Sequence, residues 1–192
     1  DCRYQGVDVL RTDGQVVVDI SKTNCMVTIN PLLVVRPEGL ASGGLALDLN
    51  QGTAEFDAVA TAQPKALFKM IGILSTGELD SLLFNGPVRG AAKGKVCWTD
   101  MTKSRMDATV KGRDLGFGLL NVDDYAFTVH MIGITNILDN IKARFYGGEL
   151  HGKTAFFIAS GSETNGSYMV EGAIKDVDFE AFIGALSPKA KE

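Results

Sequence analysis

YAFTVHM, residues 125–131, sets a large apolar side chain at every second position: Tyr125, Phe127, Val129 and Met131 face one way, Ala126, Thr128 and His130 the other. A period of two marks a strand with one buried and one wetter face. RMDATVK, residues 105–111, has the same form, with Met106, Ala108 and Val110 inward and Arg105, Asp107, Thr109 and Lys111 outward. In TAEFDAVATA, residues 53–62, the inward set is Phe56, Ala58, Ala60 and Ala62, small enough to let something pack close. Further strands are expected at about 25–36, 43–49, 82–89, 93–100, 104–112, 123–132, 140–147, 153–160 and 167–175. Asp13-Gly14, between Val7, Val9 and Val16 to Val18, predicts a hairpin turn joining the first two strands.

The period changes only twice. Pro64 suits the first turn of a short helix over about 64–71, with Leu67, Phe68 and Ile71 apolar and Gly72 to stop it. A second short helix is expected at about 178–186. The two strand-to-helix junctions superpose without a gap at an offset of 112 positions, Phe56 on Tyr168 and Gly72 on Gly184. An internal repeat of this kind predicts one domain over 1–192 built of two units, about 1–72 and 82–186, with a break near 73–81.

Length and composition bound the rest. A chain of 192 residues buries roughly 70% of its unfolded surface, enough for a core without staples. Its net charge of -4 argues against nucleic-acid binding. No apolar run reaches the roughly 20 residues that span a bilayer, so a membrane anchor is expected outside this stretch. Cys2, Cys25 and Cys97 form no CxxC pattern; one bridge with a free thiol and three reduced cysteines are both compatible with them. Strands that alternate this clearly must cover their apolar face with another layer or by curling. With only two short helices available, the expected fold is mainly β: a single long curled antiparallel sheet, a β-groove or half-barrel, whose glycines permit the bends.

Catalytic and cofactor motifs are missing. There is no GxSxG, and Ser160-Gly161-Ser162 sits in ASGSETNGS, a loop composition. Gly94-Lys95 and Gly152-Lys153 lack the rest of a phosphate loop, and Gly112 to Gly118 lacks the dinucleotide fingerprint. His130 and His151 stand on different strands with no ligand spacing around them, so neither metal nor cofactor is expected. In ARFYGGELHGKTAFF, residues 143–157, Gly147-Gly148 predicts a bulge or kink in a bending strand, with Glu149, His151 and Lys153 outward and Leu150 on the other side.

The run Phe145-Tyr146-Gly147-Gly148-Glu149-Leu150-His151-Gly152, a hairpin, Tyr168 to Gly172, then Val177-Asp178-Phe179-Glu180 and a helix resembles the AsmA-like family over about residues 100–186. The first 72 residues match it more loosely, through TAEFDAVATAQPKALFKMIG, and the family's amino-terminal membrane helix is missing. The resemblance implies a β-groove, a periplasmic location in a membrane-anchored protein of a diderm bacterium, and a non-enzymatic role in glycerophospholipid transport or outer-membrane biogenesis. Its partners would be phospholipid and neighbouring segments of a longer envelope protein. The groove lining would comprise Phe56, Ala58, Ala60, Val110, Tyr125, Phe127, Val129, Phe145, Tyr168 and Val170. The same alternation serves a filled core, which would make the chain a structural or protein-interaction domain of the envelope.

Overall fold

The computed structural model describes residues 2–4, 7–21, 25–61, 63, 82–157 and 168–186. A small hairpin of β1 (Cys2–Tyr4) and β2 (Val7–Val9) precedes the main sheet. That sheet has 11 antiparallel strands: β3 (Arg11–Ile20), β4 (Cys25–Arg36), β5 (Gly39–Asp48), β6 (Thr53–Ala60), β7 (Leu82–Phe84), β8 (Val88–Cys97), β9 (Arg105–Phe117), β10 (Leu120–Ile132), β11 (Thr135–Phe145), β12 (Gly148–Phe157) and β13 (Tyr168–Lys175). The order is a meander, and the sheet is open, with β3 and β13 at its edges. β6 pairs with β8 from Thr53 to Ala60, so the sheet runs on across the expected break between units. β7 and β8 follow one another along the same side of β9.

Three irregularities interrupt the ladders. Pro31 has no N–H to give, so in a strand paired on both sides it belongs at a bulge. Asn30 and Pro31 together oppose Gln15 on one side and Gly44 on the other. Asn85 to Pro87 oppose Arg113 and Asp114, with Asp114 at φ 53°. In β11 the extra residue is Asn140, at φ 50°. Aspartate and asparagine are the side chains that tolerate this left-handed backbone best.

Several expectations are corrected here. Asp13-Gly14 is not a hairpin turn but lies inside β3, paired with Leu33 and Leu32. The residues around 82–100 form one interrupted line, and Trp98 lies beyond the end of β8, about half exposed. Gly147-Gly148 is not a mid-strand kink: Tyr146 (φ 46°) and Gly147 (φ 76°) form a two-residue turn between β11 and β12, closed by the pairing of Phe145 with Gly148. Positive φ at both central positions is what a type I′ hairpin demands. The expected alternation of Glu149, Leu150, His151 and Lys153 does hold. Of the two helices, α1 (Phe179–Leu186) is present, and the one expected at about 64–71 lies outside the described residues.

Helix α1 starts where the chain gives it a cap. The Asp178 carboxylate accepts the Ala181 N–H at 3.0 Å, and the Asp178 N–H donates to the Tyr146 carbonyl at 2.9 Å, tying the helix start to the hairpin turn. Phe182 then meets Phe145 and Tyr146 edge-on, with ring centroids 6.0 and 5.9 Å away. Two other clusters lie along the middle strands. Phe84, Val88 and Tyr125 gather Val110, Leu115, Val122, Phe127 and Ala143. Val96, Met106 and Met131 gather Phe56, Met101 and Val129. No described helix is long and apolar enough to cross a membrane.

Candidate functional site

Cross-strand partners in an antiparallel sheet share a face, so the register assigns every position. One row crosses ten strands as Gly14, Leu32, Gly43, Ala58, Ala92, Ala108, Val129, Leu138, Thr154 and Val170. A second, two residues along each strand and three along β4 across its bulge, runs from Val16 and Ile29 through Leu45, Phe56, Gly94, Met106, Met131 and Asn136 to Phe156 and Tyr168. On the other side of the first lie Ala41, Ala60, Gly90, Val110 and Phe127, and beyond them Val88, Gly112, Tyr125, Ala143, Leu150 and Ile174. Nine of the ten residues expected from sequence therefore fall on four adjacent rows of one face. The tenth, Phe145, stands at the end of β11 against α1. The repeat partners Phe56 and Tyr168 share one row, and Ala58 and Val170 share another.

The rows differ in size of residue. From β5 to β9 the two middle rows hold only glycine, alanine and Val110, while the flanking rows rise into the Met131 and Tyr125 clusters. The result is a furrow with a small-residue floor and two taller walls. Six residues of strand separate Tyr125 from Met131, so the walls stand roughly 20 Å apart. The small-residue floor spans four neighbouring strands, on the order of 15 Å, within an apolar face that continues over ten strands, on the order of 40 Å.

Burial follows this relief. Tyr125 (5% exposed) and Phe145 (7%) are core, as is Met131. Phe56, Ala58, Ala60, Val110, Phe127 and Val129 are half-buried, and Val170 is 73% exposed. Among the described residues the only other sheet is the two-stranded hairpin of β1 and β2. At the edges Val16, Val18, Ile20, Val170 and Ile174 leave much of their apolar surface in the open. Scattered exposed apolar residues are ordinary, but a continuous apolar face is the form of an interaction surface.

Two buried polar atoms on this face have no hydrogen-bond partner, the Tyr125 hydroxyl in one wall and Asn136 Nδ2 in the other. Desolvation pushes the Tyr125 phenol up to about 12, so it is a neutral hydroxyl at ordinary pH. Each atom is a donor that a bound molecule's oxygen could satisfy. The alternation that located the furrow does not mark them; an asparagine at an inward position, Asn136, is the one sign of them in the sequence.

The opposite face carries the charges. Asp107 holds His130 at 2.6 Å and Glu149 lies 3.4 Å from His151, both exposed pairs. Among the described residues no three His, Cys, Asp or Glu side chains are placed to hold a metal. Cys25 and Cys97 are free thiols, and the Thr99 hydroxyl 3.3 Å from the Cys97 sulfur draws that thiol's pKa down. Cavities of about 1010 and 620 Å³ open on this polar face, the first at the Asn30-Pro31 bulge and the second around Ala126. Neither is the furrow, which is an open surface rather than an enclosed space. No family model, curated protein or solved structure matches the chain.

Proposed function

We propose that the furrow holds acyl chains of glycerophospholipid, and that the chain acts without catalysis as a periplasmic, AsmA-like segment of a lipid-transport or outer-membrane biogenesis system. The observation that carries this reading is the furrow itself, a face that is apolar across ten strands except at Asn136 and Thr154 and is floored with glycine, alanine and Val110 from β5 to β9. Small floor residues leave depth for a chain, and the walls supply apolar contact along both sides. The Tyr125 and Asn136 donors suit ester or headgroup oxygens at the margins. An open sheet also has no closed end, so a lipid could enter from either edge.

The test is native purification followed by phospholipid mass spectrometry. Stoichiometric co-purifying phospholipid, reduced at least tenfold by Ala58→Asp and by Val170→Asp, is the expected result. Val170 is exposed, so a charge there interrupts the furrow without costing the fold. Lipid-free protein, or lipid content indifferent to both substitutions, would overturn the proposal.

A second reading has its own support. The exposed valines and isoleucine of β3 and the free edge of β13 suit pairing with further strands, as in an envelope domain that stacks on neighbouring segments. Retained lipid separates the two readings.

A further inference from the structure

Cross-strand charges on the polar face are matched almost everywhere. Glu55 faces Lys95, Asp57 faces Lys93, Arg113 faces Asp124, and Lys153 faces Glu171, each pair forming an ion pair at 2.8 to 3.4 Å. Lys95 also faces Arg105, but Lys95 is held by Glu55 and the Arg105 guanidinium donates to the Ser104 carbonyl at 3.0 Å. One row breaks the pattern. Arg89 faces Lys111, Lys111 faces Ala126, Ala126 faces Lys142, and Lys142 faces His151.

Among the described residues Arg89, Lys111 and Lys142 form no ion pair, and all three are exposed. Like charges set directly opposite each other destabilise a sheet. The methyl group of Ala126 between two lysines leaves a gap, and the 620 Å³ cavity opens there, lined by all three cations. Arg113 and Arg144 stand on the next row at the cavity's rim, and both share Asp124, at 3.1 and 3.9 Å. The cavity thus has five permanent cations against the carboxylates of Asp124 and Glu149, on a chain whose net charge is -4.

We propose that this row is an anion site for a phosphate ester, with the Arg89 guanidinium and the Lys111 and Lys142 ammonium groups converging on the phosphate oxygens over Ala126. Arginine offers a planar fork to two oxygens and each lysine a mobile point charge, a combination suited to a tetrahedral dianion or diester. The site lies on the face opposite the furrow, so it stands or falls independently of acyl-chain binding. The ester is carried either by a free metabolite or by a lipid headgroup at a membrane surface.

Titration of the ¹⁵N-labelled chain at constant ionic strength tests it, with sodium phosphate, glycerol 3-phosphate, and vesicles of phosphatidylglycerol or phosphatidylcholine as probes. Saturable amide shifts centred on Arg89, Lys111, Ala126 and Lys142 are expected. Lys111→Gln and Lys142→Gln should each weaken binding about tenfold, the scale of one charge-assisted hydrogen bond. Lys93→Gln, which removes a paired charge from the same face, should change it less than twofold. Binding of the small esters assigns a free ligand; binding of phosphatidylglycerol vesicles alone assigns a headgroup. Both glutamine variants should melt at or above the parent temperature, since each relieves repulsion. Absence of saturable binding to every probe, or equal weakening by Lys93→Gln, overturns the proposal, as does binding that appears only with nucleic acid or acidic protein.

Discussion

The side chain of Tyr125 occupies the space that a Cβ on Gly112, its partner across β9 and β10, would claim. The ring can lie there only because residue 112 has no side chain. From that position it stacks on Phe127 and meets Phe84, both with ring centroids 6.2 Å away.

Gly112→Ala should therefore push the ring out and strip one furrow wall of its aromatic contacts. Overpacking of this kind costs about 1–3 kcal/mol, to be read as a lowered urea midpoint at unchanged slope. In a Tyr125→Leu background the same substitution should cost much less, and a double-mutant cycle with no coupling would contradict the contact.

The Tyr125 phenol titrates at about 12 in the folded chain against an ordinary value near 10. Folding favours its neutral form, so this contribution is fully present below about pH 10 and is lost as pH rises towards 12. Stability measured across that window should fall more steeply in the parent than in Tyr125→Phe. Parallel curves for the two proteins would show that the hydroxyl is not desolvated.

Asn136 buries an amide nitrogen with no partner in a row otherwise made of apolar side chains and glycine. Replacing it by leucine removes an unsatisfied donor at similar volume, which should raise stability by about 1 kcal/mol. If the nitrogen serves a lipid oxygen, the same variant should retain less phospholipid. Gain of stability with loss of lipid is the pattern of a group kept for binding; loss of stability would mean that the amide is satisfied.

At the β11–β12 hairpin the two glycines should respond differently. Gly147→Ala meets open space but must hold a positive φ, a strain of about 1–2 kcal/mol. Gly148 has an ordinary backbone, yet a Cβ there would lie 2.5 Å from the Lys175 carbonyl and from two atoms of Val177. Gly148→Ala should cost more than Gly147→Ala in thermal melts, because β13 and the start of α1 must move away from the hairpin.

Fold class was legible because one face of each strand is apolar, and that alternation is local. Met106, Ala108 and Val110, or Tyr125, Phe127 and Val129, each betray their face within a few residues. Turn placement was not, since Asp13-Gly14 carries the composition of a hairpin and is instead overruled by pairing with Leu33 and Leu32 across the next strand. Gly147 and Gly148 read as a pair, but Tyr146 supplies the other left-handed residue of the turn, a conformation an aromatic side chain does not advertise. That nine of the ten expected residues share one face followed from alternation. The cation row did not, because opposition of Arg89 with Lys111 and of Lys142 with His151 is a matter of register between strands.

The meander has a consequence for how such a molecule grows. Strand contacts run chiefly between neighbours in the sheet, so its energetics resemble those of a one-dimensional array, each hairpin stabilised by the next. Adding or deleting one hairpin would lengthen or shorten the furrow by about two strand spacings, roughly 10 Å, and disturb little beyond the junction. Gene-level duplication of hairpins is thus a low-cost route to longer or shorter versions, and partial unfolding should proceed from the ends inward.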